Sequence, residues 1–236
     1  MKRRVLLLLL SAALGWTVPA AADVFLLGFT GFDYSVPNRT VLSDYLQIGD
    51  QYYQVGTVTS FGPMLSGYVD PSVNWYTHHM FGLTVTGRAT GGTFIQATFN
   101  NLGGRTRYYE DPFSGGTAPV YGINPPNATA PSTFTDGTVA IGGHTYNFVI
   151  FYDYGLGQGD FQGNMDIDEG SYQGYIPTAS LPGWILGGLS GSHSLFGPPN
   201  TSVPAGYDHQ VSGECYRQDP TSTTHRSWGA IKALYR

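Results

Sequence analysis

Apolar and polar residues alternate along much of this chain with a period of two. Across residues 80–88, Phe81, Leu83 and Val85 fall on one side and Thr84, Thr86 and Arg88 on the other. Beyond Gly91-Gly92 the alternation resumes, with Ile95, Ala97 and Phe99 sharing a face. Two alternating runs around a Gly-Gly pair predict a hairpin. By the same rule Gly142-Gly143, between runs at 138–141 and 145–153, predicts a second hairpin. In the latter run Tyr146, Phe148, Ile150 and Tyr152 face one way, and Val149 and Phe151 the other. A strand apolar on both sides is one covered on both faces. Residues 158–168 alternate most regularly, with Phe161, Met165 and Ile167 opposite Asp160, Gln162, Asn164, Asp166 and Asp168. Further strands are predicted at 24–29, 42–48, 52–61, 105–110, 184–189 and 210–216. Residues 62–76 read as irregular, and 111–131, rich in Pro, Gly, Asn, Thr and Ala, as a long surface loop.

Composition strengthens the all-β reading. Glu110, Glu169 and Glu214 are the only glutamates, and Lys232 is the only lysine after Lys2, so strong helix formers for exposed faces are scarce. Gly, Thr, Tyr and Phe take their place, which suits pleated, half-buried surfaces joined by turns. Many short strands with Gly turns predict an antiparallel β-sandwich or jelly roll with little helix, a small barrel being the alternative.

The first 22 residues have the anatomy of a secretory signal peptide. Lys2, Arg3 and Arg4 form a positive head, an apolar stretch follows, and Ala20, Ala21 and Ala22 offer a cleavage site before Asp23. The stretch is shorter than a membrane span, and no second one follows it. The expected organisation is a signal peptide at 1–22, a single β-domain at 23–216, and a linker with a basic tail at 217–236. The protein is then secreted or held at the cell surface. The formal net charge is −5, and losing the three leader cations leaves eight Lys and Arg against sixteen Asp and Glu. Such a chain offers no basic surface for nucleic acid. Cys215 stands alone, so no intramolecular disulfide forms; a buried small hydrophobe is its expected role.

The last twelve residues run from His225 through Trp228-Gly229 to Ile231-Lys232-Ala233-Leu234-Tyr235-Arg236, with cations and no acid. Trp228, Ile231 and Tyr235 have the spacing of a short amphipathic helix. This segment resembles short tails ending in Trp-Gly and Ile-Lys-Ala-Leu-Tyr-Arg on uncharacterised exported bacterial proteins. The resemblance covers about twelve residues and implies a sorting or docking element. A final helix or strand closing the domain is the equal alternative.

Two constellations could carry binding chemistry. Asp160, Asp166 and Asp168, with Gln162 and Asn164 between them, form a row of oxygen donors, the ligand type that calcium takes. Alternate residues on a strand lie about 6.5 Å apart, so other groups would have to complete a shell. A solvated strand face is the plainer reading, and no cofactor is required. Trp75, Tyr76, Tyr108, Tyr172, Tyr175 and Trp184 sit in or beside predicted loops and strand ends. Exposed rings of this kind stack on sugars or anchor protein interfaces; packing in the core is the competing role. No catalytic signature stands out. His78-His79 cannot both face one metal from a strand, and neither His-Glu-x-x-His nor Gly-x-Ser-x-Gly occurs. The expectation is a secreted or surface-associated non-catalytic domain that binds glycan or an extracellular protein. The alternatives are a carbohydrate-active hydrolase using Asp166, Asp168 or Glu169, and a small outer-membrane β-barrel.

Overall fold

A computed structural model describes residues 23–39, 42–122, 133–191, 203–204 and 206–218. The expected signal peptide at 1–22 and most of the tail lie outside these residues. Among the described residues nine strands follow in order: β1 Val24–Val36, β2 Gln51–Phe61, β3 Asn74–Gly91, β4 Phe94–Phe99, β5 Arg105–Pro112, β6 Thr138–Asp153, β7 Gln158–Glu169, β8 Trp184–Gly191 and β9 His209–Arg217. Helical structure among the described residues amounts to 3-10 turns of three residues each. None of it is long and apolar enough to cross a membrane.

All nine strands belong to one antiparallel sheet that closes on itself as an eight-stranded barrel. β1 pairs with both β2 and β9, and the ring continues through β8, β7 and β6 on one side and β3 on the other. One position of the ring is shared. The long strands β3 and β6 are bridged by β5 along one half of their length and by β4 along the other. The expected sandwich or jelly roll therefore gives way to a barrel. Alternation is common to both architectures, and the difference lies in β1 and β3 finding partners on each side.

An eight-stranded barrel is just wide enough for side chains to fill it. Here Phe29, Phe148, Phe161, Met165, Leu186 and Val211 are buried in the interior. One end is plugged by Tyr45 and Leu46 from the segment joining β1 to β2, where residues 42–48 form a 3-10 turn and loop instead of the expected strand. Arg88 fixes that segment by donating to the carbonyls of Ser43 and Tyr45. The other end is closed by Leu65, Tyr172 and Ile176. A smaller cluster forms outside the wall, where Tyr34 and Val55 are covered by Phe134 and Tyr207. The described parts of the long loop after β5 are thus docked on the barrel, and Thr77 Oγ1 donates to the Phe134 carbonyl at 2.9 Å.

The two Gly-Gly pairs have opposite roles. Gly91-Gly92 turns the chain between β3 and β4, with Gly92 at φ 60°. Gly142-Gly143 lies inside β6, and the expected second hairpin is absent. A Cβ on Gly142 would meet the Glu169 side chain at 2.7 Å, and one on Gly143 the Asp166 carbonyl oxygen at 2.3 Å. These glycines let β7 approach.

The same constraint joins β1 to β2, where Gly31 opposes Gly56. A Cβ on Gly31 would lie 2.0 Å from the Val55 carbonyl oxygen. Gly31→Ala is predicted to lower stability by about 1–3 kcal/mol, the range for forcing atoms into a packed site. Gly67→Ala, where a Cβ meets nothing within 4 Å, should change it by less than about 0.5 kcal/mol. Urea denaturation of the two variants checks the difference.

Candidate functional site

The ring of strand pairing parts at one place. β2 is paired on both sides from Gln51 to Thr57, and Thr57 opposite Thr77 is the last β2–β3 pair. Beyond it the strands diverge. The end of β2, with Val58, Ser60 and Phe61, pairs with β1 alone, while Asn74, Trp75 and Tyr76 pair with β5 alone. The connecting loop spans the divergence. The N–H groups of Leu65 and Ser66 donate to the Gly62 carbonyl at 3.0 Å, and Asp70 accepts from the Ser72 N–H and hydroxyl at 3.0 and 2.6 Å. The Phe113 N–H donates to the Val73 carbonyl at 2.9 Å, which brings the Phe113 ring to 4.6 Å from that of Trp75.

The result is a groove of about 520 Å³. Thr59, Ser60 and Phe61 line one wall, and Asn74, Trp75 and Phe113 the other. Among the described residues no carboxylate, amine, guanidinium or imidazole lines it. Tyr76 also lines the groove, and behind it three donors converge on one oxygen. Glu110 Oε1 accepts from the hydroxyls of Tyr76 and Tyr172, each at 2.7 Å, and from Asn74 Nδ2 at 2.9 Å. Burial first, and then the Glu110 carboxylate, raise the pKa of both tyrosines, so both remain neutral donors. Glu110 thereby fixes the Asn74 and Tyr76 side chains of the groove.

The aromatic residues singled out from the sequence divide between groove, rim and core. Trp75 and Tyr76 line the groove. Tyr172 is nearly buried at the same end of the barrel, and Tyr175 stacks on Tyr68 at 3.8 Å with both rings about half exposed. Tyr108 and Trp184 are core side chains, 2% and 0% exposed, and take the packing role that was the alternative. Each occupies an inward position of its strand, and Trp184 Nε1 is already spent on the Ser180 carbonyl at 2.7 Å. The sequence reading missed Phe61, Asn74 and Phe113. Phe113 follows Pro112 at the head of a loop, and only its backbone bond to Val73 brings it onto Trp75.

The acidic row on β7 lies on the outer wall, as the alternation required. Its carboxylates are engaged separately. Asp166 Oδ1 accepts from the Tyr146 hydroxyl at 3.1 Å and the Gly183 N–H at 2.8 Å. Asp168 is gripped by both Nη atoms of Arg105 at 2.9 and 2.7 Å. Glu169 pairs with Arg105 and with Arg107, and the Arg107 hydrogen bonds hold its carboxyl below the ordinary range. Asp160 lies further along the strand, opposite Phe151 of β6. Among the described residues no three His, Cys, Asp or Glu side chains gather to hold a metal ion.

A second polar centre, not foreseen, is sealed inside the barrel at the opposite end from the groove. Asp33 Oδ2 accepts from the hydroxyls of Tyr45 and Tyr52 at 3.1 and 3.0 Å. Asp33 Oδ1 accepts from the His209 backbone N–H at 2.7 Å and faces His209 Nδ1 at 3.1 Å. Asp33 and His209 are 1% and 0% exposed, and the imidazole lies between the rings of Tyr45 and Tyr152. The centre can hold the plug segment against the strands, with both side chains removed from solvent. Nearby, burial and the Asp33 charge push the Asp208 carboxyl up to about 7. Burial likewise raises the pKa of the Cys215 thiol, leaving it an inert core group.

Comparison with protein-family models, with curated proteins and with solved structures finds no match to this chain.

His78 and His79 point to opposite faces, as expected for a strand. His79 stacks between Tyr53 and Phe81 outside, and His78 packs on Phe29 in the interior. Neither ring nitrogen of His78 has a hydrogen-bond partner, and burial pushes its pKa down to about 3. The unfolded imidazole, at its ordinary 6.5, takes up a proton that the folded one refuses. Stability is therefore retained above about pH 6.5 and falls as pH drops towards 3, by up to about 1.4 kcal/mol per pH unit. His78→Phe removes two unsatisfied polar atoms. It is predicted to be neutral or stabilising at pH 7 and to flatten this acid slope, read from urea midpoints between pH 7 and pH 4.

Proposed function

We propose that this chain is an exported, non-catalytic binding domain that engages an uncharged extracellular partner in the groove between β2 and β3. The observation that carries this reading is the groove itself. It combines the accessible rings of Trp75 and Phe113 with the amide of Asn74 and the hydroxyls of Thr59 and Ser60. A few polar groups among apolar and aromatic side chains are the usual make-up of a binding cleft. Export rests on the leader sequence at 1–22. A protein partner is the first reading, because the groove opens onto strand edges. A glycan is the second, favoured by the neighbouring ring, amide and hydroxyls.

Several features weigh against the alternatives. A glycosidase needs two carboxyls facing each other across a cleft, one of them held protonated. Asp168 and Glu169 are instead tied to arginines on the outer wall, and Glu169 is driven towards its ionised form. The small outer-membrane barrel shares the closed architecture but needs an apolar outward band. The outward positions here include Arg105, Arg107, Gln162, Asn164 and Asp166, while apolar side chains fill the interior.

Co-sedimentation of the purified protein with insoluble polysaccharides, with calcium or with chelator, separates these readings. Chelator is predicted to leave any retention unchanged, and no sugar should be released. Any bound fraction should fall at least tenfold in Trp75→Ala while the urea midpoint stays close to wild type. Release of sugar that is lost in Asp166→Asn would restore the hydrolase, and chelator-sensitive retention would move the site to the β7 face. Trp75-independent retention would remove the groove from the reading.

A further inference from the structure

The groove is a break in a hydrogen-bonded ring as well as an aromatic cleft, and this points to the form of the ligand. Backbone N–H and C=O groups are obligatory hydrogen-bonding groups, and in a closed barrel each strand meets its needs on both sides. Residues 51–57 of β2 do so, with β1 on one side and β3 on the other. From Val58 to Phe61 β2 keeps β1 but has no strand on its other side among the described residues. Across the groove Asn74, Trp75 and Tyr76 keep β5 and likewise face no second strand. Two strand edges thus look at each other across a cleft that no strand of the described residues fills.

Exposed edges are ordinarily blunted by charge, by proline in the strand, by a bulge or by a covering loop. Here the facing edge segments are Val58-Thr59-Ser60-Phe61 and Asn74-Trp75-Tyr76, with neither a charge nor a proline; the β1 register shifts at Thr59, so the β2 edge is bulged at that residue. The loop between them contributes Ser66, Val69 and Pro71 to the lining. It makes no strand pairing to either edge; its Asp70 carbonyl accepts from the Asn74 N–H at 3.2 Å and covers the start of the β3 edge, while the Val58–Phe61 edge of β2 has no such bond to the loop. The chain as a whole is acidic, yet among the described residues no charged side chain lines the groove. The groove therefore selects for an uncharged segment.

We propose that the groove takes an uncharged, extended segment of a partner polypeptide, which adds to the Val58–Phe61 edge of β2 as a further antiparallel or parallel strand and lays its side chains against Trp75 and Phe113. This rests on the groove being the binding surface, and it specifies the chemistry of the ligand. Aromatic rings and hydroxyls suit sugars and peptides alike; an unpaired strand edge matches the repeat of a peptide backbone better than the hydroxyls of a sugar. In this mode main-chain hydrogen bonds hold the segment and alternate side chains set preference. An edge of four residues accommodates about four or five ligand residues at roughly 3.3 Å each.

The probe is a set of capped, neutral peptides about five residues long that alternate Thr with Val, Ile, Leu, Phe or Tyr. It is compared with the same set carrying N-methyl groups at alternate peptide nitrogens, in both phases. The measurement is amide hydrogen exchange across the whole protein, with peptides at millimolar concentration. At least one unmodified peptide should slow exchange tenfold or more within 58–61. Methylation in one of the two phases should abolish that protection, and Trp75→Ala should reduce it while leaving exchange in the rest of the barrel unchanged. Absence of protection by every peptide would overturn the proposal, as would protection that both methylated sets reproduce or that falls elsewhere on the barrel. A neutral cello- or chito-oligosaccharide titrated in parallel keeps the two levels apart. Trp75-dependent sugar binding without peptide protection would leave the groove as the site and remove the polypeptide. Loss of both would remove the groove.

Discussion

Closure of the sheet depends on one shared position in the ring. β3 and β6 are the longest strands, and no single strand joins them along their full length. β5 covers one half of each and β4 the other. At the junction the ladder is completed by other groups. The Thr145 N–H donates to the Gly104 carbonyl at 2.8 Å, and the Asn147 N–H to the Asn101 side chain at 2.8 Å. Asn147 itself sits at φ 51°, a conformation that asparagine tolerates better than most residues. Without this seam β6 and β3 would have free edges in mid-strand, and the interior would be open to water. The packing of Phe148 and Phe99 behind the seam depends on its being closed.

The groove follows from the same logic in reverse. β2 and β3 part after Thr57 and Thr77, and here no additional strand fills the space. Instead, polar and aromatic side chains stabilise the divergence from behind. The three hydrogen bonds that converge on Glu110 tie β3, β5 and the segment after β7 together at this end. A carboxylate oxygen accepting from three donors is held more firmly than any of the exposed ion pairs on the outer wall. The groove is thus backed by a rigid wall, which is the condition for a preformed cleft.

How much of this could be read from the sequence varies with the physical question. The alternation in 158–168 correctly put Phe161, Met165 and Ile167 inside and the acids outside, because a period of two says which residues share a face. It does not say whether the sheet closes, since closure depends on which strand meets the edge of β1. Nor does it separate a glycine that turns the chain from one that admits a neighbour. Gly91-Gly92 and Gly142-Gly143 are identical as dipeptides, and the close approach of β7, with Glu169 beside Gly142 and the Asp166 carbonyl beside Gly143, tells them apart. Residues 42–48 failed for a related reason. Tyr45 and Leu46 are apolar because they plug the barrel, with Leu46 at φ 57° outside any strand geometry.

The site was legible only in part, and the aromatic residues show why. Trp75 and Trp184 have the same chemistry and both lie near strand ends, yet one lines a groove and the other is sealed in the core. The deciding facts are long-range: the β2–β3 ladder stops before Trp75, and Phe113 arrives from the far end of β5. The buried centre at the other end was invisible for the same reason, because Asp33 and His209 are far apart in the chain and meet only when β1 pairs with β9. Sequence alternation supplies the faces of this barrel, whereas the geometry of the groove comes from where pairing stops. A cleft made in this way has strand edges for walls, so the features that made it hard to foresee are those on which the proposed strand addition rests.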